Sequence, residues 1–145
     1  MTLDSIPVRA GFRGGHVCHA YNEAAFRHFL GIERARAQRS KRFLYLALVA
    51  ILQSPSRRRA KLSGSTSTAL LCGLGTSVRE VDFVGWYREG HVAAAVMAQG
   101  PKASDLKAAP VIADRIIAEL KKRLSAADSN NLCVRVVRLG GKAGN

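Results

Sequence analysis

Arg79-Glu-Val-Asp82 is the stretch of this sequence whose residue types and spacing best suit chemistry. An arginine presents a planar fork of donors that can grip a phosphate, or the O6/N7 edge of a guanine, through two hydrogen bonds. A carboxylate three positions later offers acceptors to the N1 and N2 donors of the same base. The bland use of these two residues is a surface ion pair, contributing about 0 to 1 kcal/mol. Five residues further on comes Arg88-Glu-Gly-His-Val92, which reads as a turn because Gly90 readily takes positive φ. Two other stretches carry weaker signals. His16-Val-Cys18-His19 has metal-ligand residue types, but they are too few and too crowded for a zinc site without distant partners. Gly73-Leu-Gly75-Thr-Ser77 has the glycines of a phosphate loop without its lysine or its preceding strand, so a close helix crossing accounts for it better.

The elements that must position these residues can be read from capping and periodicity. Asn22 can cap a helix carrying Phe26, Phe29, Leu30, Glu33 and Ala37 at three- and four-residue spacing, with Arg27, Arg34, Arg36 and Arg39 on its other face. Phe43 to Leu52 is a continuous apolar run, as expected of a strand buried on both faces. Ser54 to Gly64 reads as a loop by its Pro, Gly, Ser and charge content. Thr66 or Ser67 is expected to open a second helix reaching about Val78, with Ala69, Leu70, Gly73 and Leu74 inward. Val81 to Tyr87 and Val92 to Ala98 read as the strands of a hairpin. After the break at Gly100-Pro101, Ser104 can cap a long helix with Val111, Ile112, Arg115, Ile116, Glu119 and Leu120 on related faces, interrupted early by Pro110. Leu132 to Leu139 alternates as a last strand. The order gives an α+β, two-layer fold: a βαββαβ core with a leading helix, its mainly antiparallel sheet covered by helices on one face.

Composition bounds the reading. The 145 residues suit one domain, and 48% apolar content is enough for a packed core. Residues 1–20 are expected to be a flexible arm, 21–140 the domain and 141–145 a tail. The longest apolar run is too short to span a bilayer, which takes about 20 residues, and the N-terminus lacks a signal pattern, so a cytoplasmic location is expected. Cys18, Cys72 and Cys133 lie far apart and read as buried free thiols. The net charge of +13 is unevenly spread: Arg27 to Lys61 holds ten Lys or Arg residues and one acid, Glu33. Such a block implies an anionic partner, whether a nucleotide, a nucleic acid or a membrane surface, or else a solvated basic face.

The pattern resembles the GGDEF, or diguanylate cyclase, family. GGDEF domains place an Arg-x-x-Asp pair five residues before a five-residue signature at a hairpin tip, with an aromatic just ahead of it. Here Tyr87 holds the aromatic position and Arg88, Glu89, Gly90, His91 and Val92 the signature. Tyr21-Asn-Glu-Ala-Ala-Phe26 is similar to the family's Asn-Arg-x-x-Phe segment. Arg34-Ala-Arg-Ala-Gln-Arg39 is similar to its Arg-Ala-x-Arg helix end, and Ala113-Asp-Arg-Ile116 to its Ala-Glu-Arg-Ile helix. The resemblance covers roughly residues 16 to 139 and implies the palm-like fold of nucleotide cyclases.

The same resemblance implies a loss and a retention. Active members use the signature glycines to approach GTP, and its acids, with an aspartate ending the first strand, to hold metal. This chain has Arg88 and Glu89 at the glycine positions, Gly90 and His91 at the acidic ones, and Val49-Ala-Ile-Leu-Gln53 at the strand end. The guanine-reading Asn and Asp expected near 54 to 64 are replaced by Ser, Pro, Arg and Lys. No catalytic residue, no magnesium and no other cofactor is therefore expected. The Arg-x-x-Asp pair is the family's allosteric site for cyclic di-GMP, completed by an arginine on the helix after the hairpin. Arg79, Asp82 and Arg115 match it. The expectation is a non-catalytic cyclic di-GMP effector that contacts a partner protein, as a monomer or a homodimer, in control of exopolysaccharide, secretion or motility. The rivals are a ligand-free interaction or dimerisation module and a basic nucleic-acid-binding protein.

Overall fold

In the computed structural model, the described residues are 5–9, 17–53, 56, 58–77, 81–97 and 108–140. The elements run β1 (Ser5–Arg9), β2 (Val17–Tyr21), α1 (Glu23–Arg39), β3 (Phe43–Gln53), β4 (Arg58–Arg59), α2 (Gly64–Ser77), β5 (Phe83–Arg88), β6 (Val92–Met97), α3 (Ala108–Lys121), α4 (Ala126–Asn130) and β7 (Leu132–Gly140). The run β3-α2-β5-β6-α3-β7 is the expected βαββαβ core. Along the sheet the strands order as β1-β2-β5-β6-β3-β4, and β7 pairs with β3. Every pairing is antiparallel except that of β2 with β5, where Tyr21 faces Gly85.

Strand β3 is the axis of the fold because both of its faces are apolar, and the alternation of side chains sends successive residues to opposite layers. Tyr45, Ala47, Val49 and Ile51 pack with Leu70, Leu71 and Leu74 of α2 and with Ile112, Ile116 and Leu120 of α3. Leu44 and Leu46 pack instead with Phe26, Leu30 and Ala37 of α1. Helices therefore cover both faces. The two helices of the core share one side, as expected, and the leading helix lies on the other. The expectation of a single covered face fails because β3 has no polar face to leave in water.

Local chemistry fixes several boundaries. The Asn22 side chain accepts from Ala25 N–H at 2.8 Å, which caps α1. Ser63 Oγ accepts from Thr66 N–H at 3.2 Å, so α2 starts earlier than a cap at Thr66 or Ser67 would allow. Pro110 sits in the first turn of α3, where its missing N–H costs nothing; Ser104, the expected cap, lies outside the described residues. Gly73 is where α2 crosses α3. A Cβ there would come within 2.5 Å of Leu120 Cδ2, so the glycine serves packing.

Three further expectations are corrected. Ser5–Arg9 and Val17–Tyr21 form an antiparallel strand pair where a loose arm was expected. Arg58–Arg59, expected in a loop, pairs with Leu52 and Gln53 at the end of β3. Cys72, expected to be a free thiol, is buried and disulfide-bonded, whereas Cys133 is free and exposed. No described helix is long and apolar enough to cross a membrane.

Candidate functional site

The hairpin β5–β6 carries both candidate regions, one at each end. At its base, Asp82 is exposed, and its backbone N–H donates to Val96 O at 2.8 Å, which extends the ladder by one residue. Arg79 lies outside the described residues. Arg115 is exposed on α3 between the buried Ile112 and Ile116, and it holds no hydrogen bond or ion pair among the described residues. Asp82 thus stands at the far end of the hairpin from the turn at residues 88–92. No hydrogen bond or ion pair joins it to Arg115.

At the tip, Gly90 adopts φ +75°, and His91 N–H closes the turn on Arg88 O at 2.9 Å. A side chain at residue 90 would strain this backbone. The turn is fastened to two other segments. Glu89 Oε1 accepts from Glu23 N–H at 2.9 Å, and Glu23 Oε1 accepts from Glu89 N–H at 2.7 Å. Leu62 N–H donates to Gly90 O at 2.8 Å, which ties the connection between β4 and α2 to the same turn. Arg27, one helical turn into α1, donates from Nε to Tyr87 O at 3.0 Å, and its guanidinium lies 4.3 Å from the centre of the Tyr87 ring. It also pairs with Glu23 Oε2 at 3.4 Å.

This donor set does not suit a magnesium ion. The tip's one carboxylate, Glu89, is directed at a helix N-terminus, where a negative charge is favoured by the helix dipole. Beside the turn, Arg58, Arg59, Arg88 and His91 line a common cleft. Among the described residues no group of three His, Cys, Asp or Glu side chains could hold a metal. His16, of the weak His-Cys-His stretch, lies outside the described residues. The reciprocal Glu23–Glu89 link and the gathering of Arg27, Arg59, Arg88 and Arg135 escape the sequence reading, since the partners are far apart in the chain and belong to different elements.

Comparison with solved structures places the fold. The GGDEF domain of FimX from Pseudomonas aeruginosa superposes with a TM-score of 0.56 at 18% identity, over 87% of this chain and 79% of that one. The GGDEF domain of TpbB (YfiN) from the same organism gives 0.55 at 22% identity, over 81% of this chain and 69% of that one. The GGDEF domain of DgcB from Caulobacter crescentus, solved in complex with c-di-GMP, gives 0.51 at 17% identity, over 83% and 69%. The chain therefore has a GGDEF-like fold. No family model matches it, and no curated protein matches its sequence.

Proposed function

We propose that this chain is a non-catalytic GGDEF-like domain that binds cyclic di-GMP through Arg79, Asp82 and Arg115 and signals by contact with a partner protein. The observation that carries the reading is the contrast between the two ends of one hairpin. The signature end is packed against α1 and surrounded by guanidinium groups, with its carboxylate engaged and no acid at the neighbouring end of β3. The other end presents Asp82 to solvent at the place where the resemblance puts a ligand site. The neighbour from Caulobacter crescentus, solved with c-di-GMP, supports the ligand class.

The reading is tested by calorimetry with cyclic di-GMP and GTP, together with a product assay in excess Mg²⁺ or Mn²⁺. Saturable binding of cyclic di-GMP without any product formed from GTP is expected. Metal-dependent synthesis above a blank would overturn the non-catalytic half. Absence of binding at micromolar ligand would leave a ligand-free interaction module as the better account.

A further inference from the structure

Strand β7 ends the sheet on one side, pairing with β3 on the side away from β6. Ladder alternation says which of its backbone groups face outward. Leu52 N–H donates to Asn131 O at 2.9 Å, whereas Ile51 O accepts from Ala60 N–H at 2.7 Å on the opposite side of β3. The even-numbered residues of β3 therefore turn their N–H and C=O toward β7, where they meet Cys133, Arg135, Val137 and Leu139. Leu132, Val134 and Val136 turn theirs away from β3. None of these outward groups has a partner among the described residues.

We propose that this edge takes up an extended acidic segment of a partner protein as an additional strand. An unpaired edge is a template for another strand. The two ends of the sheet treat that hazard differently. At the far end, β1 is five residues long with Pro7 at its centre, opposite His19, and a proline has no N–H to offer a new strand. Strand β7 is nine residues long, holds no proline, and runs without a bulge from Leu132 opposite Ile51 to Gly140 opposite Phe43. Its guard is charge. Arg135 and Arg138 are exposed on opposite faces of the strand, and from Ser129 to Asn145 the sequence holds Arg135, Arg138 and Lys142 and no acid. Like charges across a ladder are destabilising, so a second copy of β7 is a poor partner, the more so at a net charge of +13. A strand bearing carboxylates gains from the same arginines.

The side chains of β7 set the pattern its partner needs. Val134 and Val136 face the layer of α2 and α3 and are only partly buried at the rim of that core. Arg135 points to the other face, with Leu48 opposite it. A strand beside β7 would put apolar side chains next to the two valines and acids next to Arg135, an alternation of period two. This inference names the surface for the partner contact in the proposed function and rests on that half of it. It does not depend on cyclic di-GMP binding at Asp82.

The test uses the full chain, titrated calorimetrically with and without cyclic di-GMP. The probe is a capped peptide of about seven residues that alternates glutamate with valine. Saturable binding is expected, with a lysine–valine peptide far weaker. Two N-methylated forms keep the charge, one methylated on its valines and the other on its glutamates. Only one set of amides can face β7, so one form should lose binding and the other keep it. Loss on valine methylation marks an antiparallel strand and loss on glutamate methylation a parallel one; both support the edge. Val136→Pro removes an outward N–H and leaves the bonds to β3, so it should weaken the peptide about tenfold or more. Arg135→Glu should reverse the preference toward the lysine peptide. Thermal unfolding checks both variants, and the methylated peptides decide the matter should either fail to fold. Cyclic di-GMP binding without peptide binding overturns the edge and leaves the ligand site standing. Equal binding of both methylated forms also overturns it, since charge alone would then suffice. So does a dimer of the chain in sedimentation that Val136→Pro abolishes, which would give the edge to a second copy.

Discussion

Glu23 and Glu89, 66 positions apart, each accept a hydrogen bond from the other's backbone N–H. Glu23 opens α1, so its N–H is one of the donors that a helix start leaves without a partner. Glu89 satisfies it from the signature turn and places negative charge at the helix N-terminus. The link is mutual, so removing either carboxylate should cost about 0.5 to 1.5 kcal/mol, the range for a partly exposed hydrogen bond. Denaturant unfolding of Glu23→Ala, Glu89→Ala and the double variant should show losses that do not add. Strict additivity would mean the two residues act separately.

The Arg-x-x-Asp reading makes a discriminating claim. Arg79→Ala should weaken cyclic di-GMP by about tenfold or more through loss of a charged, bidentate donor. Asp82→Ala should instead narrow the preference for guanine over adenine in the matching cyclic dinucleotides, because its carboxylate answers guanine's donors. Arg115→Ala should resemble Arg79→Ala. Calorimetry on the three variants checks the pattern, and a ligand that binds all of them as it binds the wild type sits elsewhere.

Gly85 is where β2 meets β5. A Cβ there would stand 2.5 Å from Tyr21 O and 2.9 Å from Phe26 Cδ1. The first neighbour is backbone and cannot rotate away. Gly85→Ala should therefore destabilise the fold by about 1 to 3 kcal/mol, as overpacking does. Thermal unfolding measures it, and an unchanged midpoint would show that β2 moves freely.

Tyr45 is 1% exposed, and its hydroxyl has no hydrogen-bond partner among the described residues. Burying a hydroxyl without a partner is unfavourable. Tyr45→Phe keeps the ring and should raise stability by about 1 kcal/mol. A lower denaturant midpoint would reveal a partner such as a bound water.

Much of this architecture is legible from local signals. Asn22 announces α1 because a cap is a property of a few adjacent residues, and the Phe43 to Leu52 run announces a buried strand by apolarity alone. The hairpin follows from Gly90 between two apolar strands. The strand at Arg58–Arg59 carries no such signal: its two charged residues pair only because the end of β3 is there to receive them. The side taken by α1 is equally hidden, since nothing within residues 23–39 says which layer of β3 will meet Phe26 and Leu30. The site divides in the same way. Asp82 and Arg115 are matched by resemblance to the family's motifs, whereas the gathering of Arg27, Arg59, Arg88 and Arg135 exists only once α1, β4, β5 and β7 are assembled.

The tie between residues 23 and 89 also bears on which mutational routes are open to this chain. A glycine at residue 89 would be the first step toward a glycine-rich tip. That step removes the acceptor for Glu23 N–H while leaving Arg88, Gly90 and His91 as they are, so stability falls at once. Acids at 90 and at the end of β3 would have to arrive among guanidinium groups, and Gly90 could not be replaced without strain at φ +75°. The changes at residues 89 and 90 are each a loss on their own, and an acid at the end of β3 would pair with the surrounding guanidinium groups instead of standing free to hold a metal. The hairpin tip behaves as a latch, held by its own contacts against change one residue at a time.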